Sequence, residues 1–216
     1  MTVHEEIQEI DVFIQRGLFD RKQRQLLINP DFIQFDDKIS SDIFTKFDKN
    51  EICGYRYGVK FISGYQFTIG REFLIFIHNS SNQTLKINFK SFYNFKKQEY
   101  YNLFNTILNT MWKCYFGNVV DEFVSEFYKG QDIVIGRAII SSEAIIINEP
   151  GVIKNDKKVI PWDDLETKDY HTYFAVYSSK DASKTNATFS YLNDWNTGVL
   201  YSVVRTILHK KKTQSL

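Results

Sequence analysis

Leu26-Leu27-Ile28-Asn29-Pro30-Asp31-Phe32-Ile33-Gln34-Phe35 has the same pattern as Ala138-Ile139-Ile140-Ser141-Ser142-Glu143-Ala144-Ile145-Ile146-Ile147. Apolar positions fall on apolar positions, and the polar turn Asn29-Pro30-Asp31 falls on Ser141-Ser142-Glu143. Two short apolar runs around a polar break read as a β-hairpin, so the chain writes that hairpin twice, 112 residues apart. Further matches lie on either side. Ile7, Ile10, Ile14 and Gly17 fall on Val120, Phe123, Phe127 and Gly130, and Thr106-Ile107-Leu108 falls on Thr206-Ile207-Leu208. Repetition of one unit sets length, boundary and fold together. It predicts two domains, residues 1–117 and 118–216, with the boundary at Phe116–Val119.

Each copy is near the usual size of a self-sufficient domain. With 43% hydrophobic residues, 19 Phe and 13 Tyr, there is apolar material for two cores. General disorder is excluded. Residues 1–117 carry 15 basic and 13 acidic side chains, and residues 118–216 carry 12 and 13. Neither half has the basic excess of a duplex-binding domain, which argues against specific nucleic-acid recognition. Cys53 and Cys114 form no metal or redox spacing. The polar start Met1–Glu6 has no signal-peptide core, and runs such as Phe73–Ile77 are far too short to span a bilayer. A reducing cytoplasm is the expected location.

Ile7, Ile10 and Ile14 at spacings of three and four predict a short helix over residues 4–16, ended by Gly17. Residues 119–129 predict its counterpart, capped by Asn118 and ended by Gly130. Strands are expected at Ile133–Ser141, Ala144–Asn148, Val159–Leu165, Tyr170–Tyr177 and Ala187–Leu192, and in the first copy at Phe73–His78 and Thr84–Phe89. The glycines of Gly54–Gly70 suggest bulges, and the first copy is longer mainly there. Each copy closes with an amphipathic helix. The first stripe is Tyr100, Phe104, Ile107, Leu108, Met111, Trp112 and Tyr115. The second is Trp195, Val199, Leu200, Val203, Val204, Ile207 and Leu208, with Asn193 or Asp194 as N-cap. His209-Lys210-Lys211-Lys212 ends this helix, where positive charge complements the dipole, and the tail beyond is expected to fray.

Short antiparallel strands closed by one C-terminal helix resemble the pleckstrin-homology-like (PH-like) fold, and Ile139–Lys210 is similar to bacterial PH-like domains in particular. The motif carrying this is Ile160-Pro161-Trp162-Asp163-Asp164-Leu165 after the Ser141-Ser142-Glu143 turn. The first copy lacks the Pro-Trp pair and has Phe47-Asp48-Lys49-Asn50-Glu51-Ile52 in the comparable place. The resemblance implies an α+β chain of two tandem PH-like antiparallel β-barrel or sandwich domains. Each would be preceded by a short helix and closed by its amphipathic helix. The family has seven strands in two near-orthogonal sheets; the residues of the second copy give six.

No nucleophile elbow, phosphate-binding glycine loop or zinc motif is present, so no catalytic, cofactor or metal residues are assigned. The neighbours Asp36-Asp37 and Asp163-Asp164 make poor acid–base pairs, because adjacent strand side chains point apart. Lys154, Lys157 and Lys158, around a predicted turn, are the candidate anion contact. Some PH-like domains bind phosphoinositides, but neither copy here concentrates basic residues, so no specific headgroup site is expected. The expected function is a non-catalytic cytoplasmic binding or scaffolding role toward a protein partner, through sheet edges and a groove beside the closing helix. The alternative is peripheral attachment to an anionic membrane through the loop lysines or the tail His209-Lys210-Lys211-Lys212.

Overall fold

A computed structural model describes residues 9–17, 20, 22–37, 44–149 and 156–214. The chain forms two compact units, Met1–Gly117 and Asn118–Leu216, in an α+β arrangement with four antiparallel sheets.

In the first unit, β1 (Ile10–Ile14), β2 (Arg24–Ile28), β3 (Phe32–Phe35) and β4 (Thr45–Asp48) make a four-stranded meander. A 3-10 turn, Lys49–Glu51, leads into β5 (Ile52–Ser63), β6 (Thr68–Asn79) and β7 (Thr84–Phe92), a three-stranded meander. Helix α1 (Lys97–Met111) and a π-helical segment (Trp112–Phe116) complete it. The second unit opens with α2, which spans Gly117–Tyr128. Strands β8 (Ile133–Ile135), β9 (Ala138–Ile140), β10 (Ala144–Glu149) and β11 (Asp156–Pro161) follow. Then come a 3-10 turn (Trp162–Asp164), β12 (Leu165–Asp169), β13 (Tyr173–Ser178), β14 (Asn186–Ser190) and α3 (Thr197–Gln214). Each unit is thus a four-strand meander, a 3-10 turn, a three-strand meander and a helix. Among the described residues no ladder joins the two sheets of a unit, so neither closes into a hydrogen-bonded barrel.

The register agrees between the units. Ile28 pairs with Ile33 and Leu26 with Phe35; Ile140 pairs with Ile145 and Ala138 with Ile147, the same positions 112 residues on. Turn bonds repeat as well. Asn29 donates its amide to the Phe32 carbonyl, as Ser141 does to Ala144. Lys49 donates to the Asp31 carbonyl, as Trp162 does to Glu143. The stretches Phe47–Ile52 and Ile160–Leu165 both run strand, 3-10 turn, strand.

Three expectations are corrected. The helix expected over residues 4–16 is a strand at Ile10–Ile14, paired with β2; residues 4–8 lie outside the described residues. Ile10 and Ile14, four apart, share a face in a helix and in a strand alike. Pairing with β2 decides for the strand, and both side chains are buried. Its counterpart is therefore β8, since Ile10 faces Ile28 as Ile133 faces Ile140, and not α2. Second, Ile133–Ser141 is not one strand. Gly136-Arg137 makes a two-residue hairpin between β8 and β9, with Gly136 at φ +57. Together with the break at Trp162, this brings the second unit to seven strands, β8 to β14. Likewise Val159–Leu165 is broken by the 3-10 turn at Trp162, and the strand expected from Tyr170 begins at Tyr173. Third, Asn118 lies inside α2 and does not cap it. Asp194 serves the turn before α3 by accepting the Ser190 amide, at 2.7 Å from Oδ2.

The Gly130 stop stands as expected. At φ +84 it donates to Phe127, and Gln131 donates to Glu126, the two bonds of a Schellman end. The glycine-interrupted stretch Gly54–Gly70 is a long β5–β6 hairpin with register shifts near Cys53 and Ser63.

Helix α3 buries Val199, Leu200, Val203, Val204, Ile207 and Leu208, a broad double row. Helix α1 buries the narrower row Tyr100, Phe104, Ile107 and Met111. Leu108 and Trp112, expected on that stripe, are only half-buried. Trp195, expected on the core face of α3, precedes the helix and is half-buried too.

Candidate functional site

Strand β12 pairs only with β13 among the described residues, so it is a sheet edge. Edges expose unpaired backbone donors and acceptors that another strand can use. Leu165 turns into the core, while Glu166 and Lys168 are exposed.

Helix α3 lies beside this edge. Its apolar double row leaves the opposite face to Arg205, His209 and Lys212, at spacings of four and three, which a helix places on one face. Between them, Glu166, Thr167, Arg205, Thr206, His209 and Lys212 line a groove of about 500 Å³. Lys210 also reaches it and lies over the Tyr128 ring at 5.4 Å. Among the described residues no carboxylate forms an ion pair with Arg205, Lys210 or Lys212. The walls thus carry three cations against the single carboxylate Glu166. Burial raises the Tyr128 hydroxyl above its ordinary pKa, so it stays a neutral donor at the end of α2.

The lysines singled out in the sequence do not form a comparable site. Lys154 lies outside the described residues. Lys157 and Lys158 are neighbours on β11 and project to opposite faces. Lys157 is exposed; Lys158 is half-buried. Its ammonium donates to the Asn186 carbonyl at 2.7 Å and lies 3.7 Å from Glu149. A second basic cluster, Arg21, Lys22 and Arg24 at the start of β2, forms no such site either: Arg24 is buried and bonded to Asp20 at 2.5 Å, while Arg21 is outside the described residues.

The lysines expected at the end of the closing helix are helical, and α3 runs past them to Gln214. Lys211 lies over the Trp162 and Phe127 rings at 5.5 and 5.7 Å, which fixes this end against the core. Arg205 is a groove residue that the sequence reading missed, although its spacing to His209 and Lys212 is visible there.

The carboxylate neighbours have structural duties. Asp36 accepts the Gln25 amide at 3.2 Å and Asp37 accepts the Thr45 hydroxyl at 2.7 Å. Asp164 takes Lys180 at 2.8 Å, a bond that raises the lysine pKa. His78 sits on β6 and His171 in the exposed β12–β13 turn. Among the described residues no group of three or more His, Cys, Asp or Glu side chains is placed to hold a metal, and no helix is long and apolar enough to cross a membrane.

No protein-family model matches the chain, and no curated protein matches it.

Proposed function

We propose that this protein is a non-catalytic binding module of two tandem PH-like domains. In this reading the second unit recognises a partner protein by taking an extended acidic segment into the β12–α3 groove. The observation that carries the reading is a free sheet edge beside a cationic helix face. A segment added to β12 gains main-chain hydrogen bonds from the edge, and its alternate side chains meet α3. Arg205, Lys210 and Lys212 favour carboxylates there, and the half-buried Thr167 sets the depth of the floor. Equal meanders and turn bonds in the two units support the PH-like assignment. Attachment to a membrane through Lys154, Lys157 and Lys158 has less support, because Lys158 is held by Glu149 and Asn186.

Peptide display against the full chain tests this. Acidic extended sequences are expected to be enriched. The double variant Arg205→Glu/Lys212→Glu, both at exposed positions, is expected to weaken them about tenfold or more. Enrichment of sequences without acidic residues, or affinity unchanged in the double variant, would exclude the groove.

A further inference from the structure

The long β5–β6 hairpin is the main difference between the two units. Strands β5 and β6 have 12 residues each. Their counterparts β12 and β13 have 5 and 6. The second unit buries its core without the extra length, so the extension is not required to close a core.

The extension carries side chains that water disfavours. Phe61, Tyr65 and Phe67 of the hairpin end are more than half exposed, Tyr65 at 98%. Tyr93 and Phe95, in the turn from β7 to α1, are more than half exposed as well. The ladder brings the two turns to one end of the sheet. Gly70 pairs with both Ile62 and Phe92, and Tyr93 donates its amide to the Ile69 carbonyl at 2.9 Å. Five exposed aromatics therefore share one projecting end. Tyr93 is also held at φ +50, a region that bulky residues rarely occupy.

The charged residues at this end are mostly basic. Residues 59–71 and 90–98 contain Lys60, Arg71, Lys90, Lys96 and Lys97 and no carboxylate. Glu72 is the ladder partner of both Lys60 and Lys90 and pairs with the Lys90 ammonium at 3.5 Å, and Glu99 pairs with Lys96. Lys60, Arg71 and Lys97 have no ion pair with a described carboxylate. The Arg71 guanidinium lies over Phe61 at 5.5 Å and reaches Asn94 at 3.3 Å, which steadies the patch.

We propose that this end of the first unit is a membrane contact, with the aromatic rings entering the interface of an anionic lipid surface and Lys60, Arg71 and Lys97 meeting its headgroups. Tyr and Phe favour the headgroup boundary, where one end of the ring is apolar and the other wet. Basic residues beside the surface add about fivefold each to the partition. A projecting tip enters a fluid boundary without needing a shaped cavity, whereas a protein partner must supply a matching concave pocket. The excess of basic over acidic side chains fits a lipid surface of negative charge.

Co-sedimentation of the full chain with vesicles containing about 30% anionic lipid tests the proposal. Wild type is expected to sediment with them, several-fold less as salt rises from about 0.1 to about 0.5 M, and not to zero. The variant Phe61→Ser/Tyr65→Ser/Phe67→Ser should lose about tenfold or more at both salt levels, because the apolar part does not depend on salt. Lys60→Glu/Lys97→Glu should lose only the salt-sensitive part. All substituted positions are exposed, and an unchanged melting temperature shows that the variants fold. Absence of wild-type binding at low salt, or equal binding of the aromatic variant, would overturn the proposal. So would a dimer in light scattering that the aromatic variant dissociates while vesicle binding is unaltered, since the tip would then be a contact between copies of this chain.

Discussion

Phe104→Ala is expected to destabilise the first unit by about 3–5 kcal/mol. The side chain closes an aromatic cluster that joins α1 to the β5–β7 sheet. Its ring lies 5.5 Å from Phe73 and 6.2 Å from Tyr57. One turn earlier Tyr100 meets Phe89 at 5.3 Å, and Phe73 and Phe89 stack at 5.2 Å. Residues 100 and 104 thus bracket the stacked pair from one helix face. Truncation removes a large apolar area and leaves a cavity among rings that cannot close over it. Leu108→Ala is the internal control. Leu108 is about a quarter-turn round from Ile107 and half-buried, so its loss should cost well under half as much. Amide exchange read on peptides from β6 and β7 measures this for the first unit alone. Opening should become about a hundredfold more frequent or greater in Phe104→Ala. Unaltered protection in β6 and β7 would mean that α1 does not hold the sheet.

That contrast also shows what is legible in the sequence. The spacing of Tyr100, Phe104, Ile107 and Met111 identifies the helix and its face. It does not give the width of the face that the sheet covers, so Leu108 and Trp112 are placed one step too deep. Hairpins are legible where a polar break separates two apolar runs, as at Asn29–Asp31 and Ser141–Glu143. The hairpin at Gly136-Arg137 is hidden because Arg137 looks like an ordinary exposed strand residue. In the fold it anchors the turn instead. Its guanidinium binds Glu149 at 2.7 Å, bonds the Thr188 carbonyl and lies over the Phe189 ring. Strand β1 is misread because a spacing of four fits both periods, and the pairing that decides the matter, with β2, is not written in the strand's own residues. The binding groove is legible only in part. A groove beside the closing helix is expected, but Arg205 joins it through the pairing of a helix face with an edge strand, which no local pattern announces. The lysines at 154–158 stand out through adjacency, and adjacency on a strand separates side chains.

Trp162→Ala is expected to cost the second unit about 3–5 kcal/mol, and Trp162→Phe about 1–3 kcal/mol. The indole is buried beneath Lys211, meets Phe127 edge-on at 5.6 Å and donates from Nε1 to the Ser141 carbonyl at 2.9 Å. That carbonyl opens the β9–β10 turn. Its counterpart, the Asn29 carbonyl, opens the β2–β3 turn of the first unit, where position 162 corresponds to Lys49 and no indole is present. The first unit satisfies the same acceptor from another element. Tyr115, in the π-helical segment, directs its hydroxyl at the Asn29 carbonyl at 2.8 Å and the Phe32 carbonyl at 2.6 Å. Burial raises that hydroxyl far above its ordinary pKa, so it remains a donor throughout the working range. A turn carbonyl facing the core must be bonded wherever the fold occurs, and each unit meets the requirement with whichever aromatic donor its sequence brings there. Tyr115→Phe should therefore resemble Trp162→Phe in cost, each confined to its own unit. Thermal unfolding of the three variants checks this. If Trp162→Ala were no worse than Trp162→Phe, the indole would act through its hydrogen bond alone and its packing on Phe127 would be dispensable. If Tyr115→Phe were neutral, the Asn29 carbonyl would not need the donor that its counterpart has.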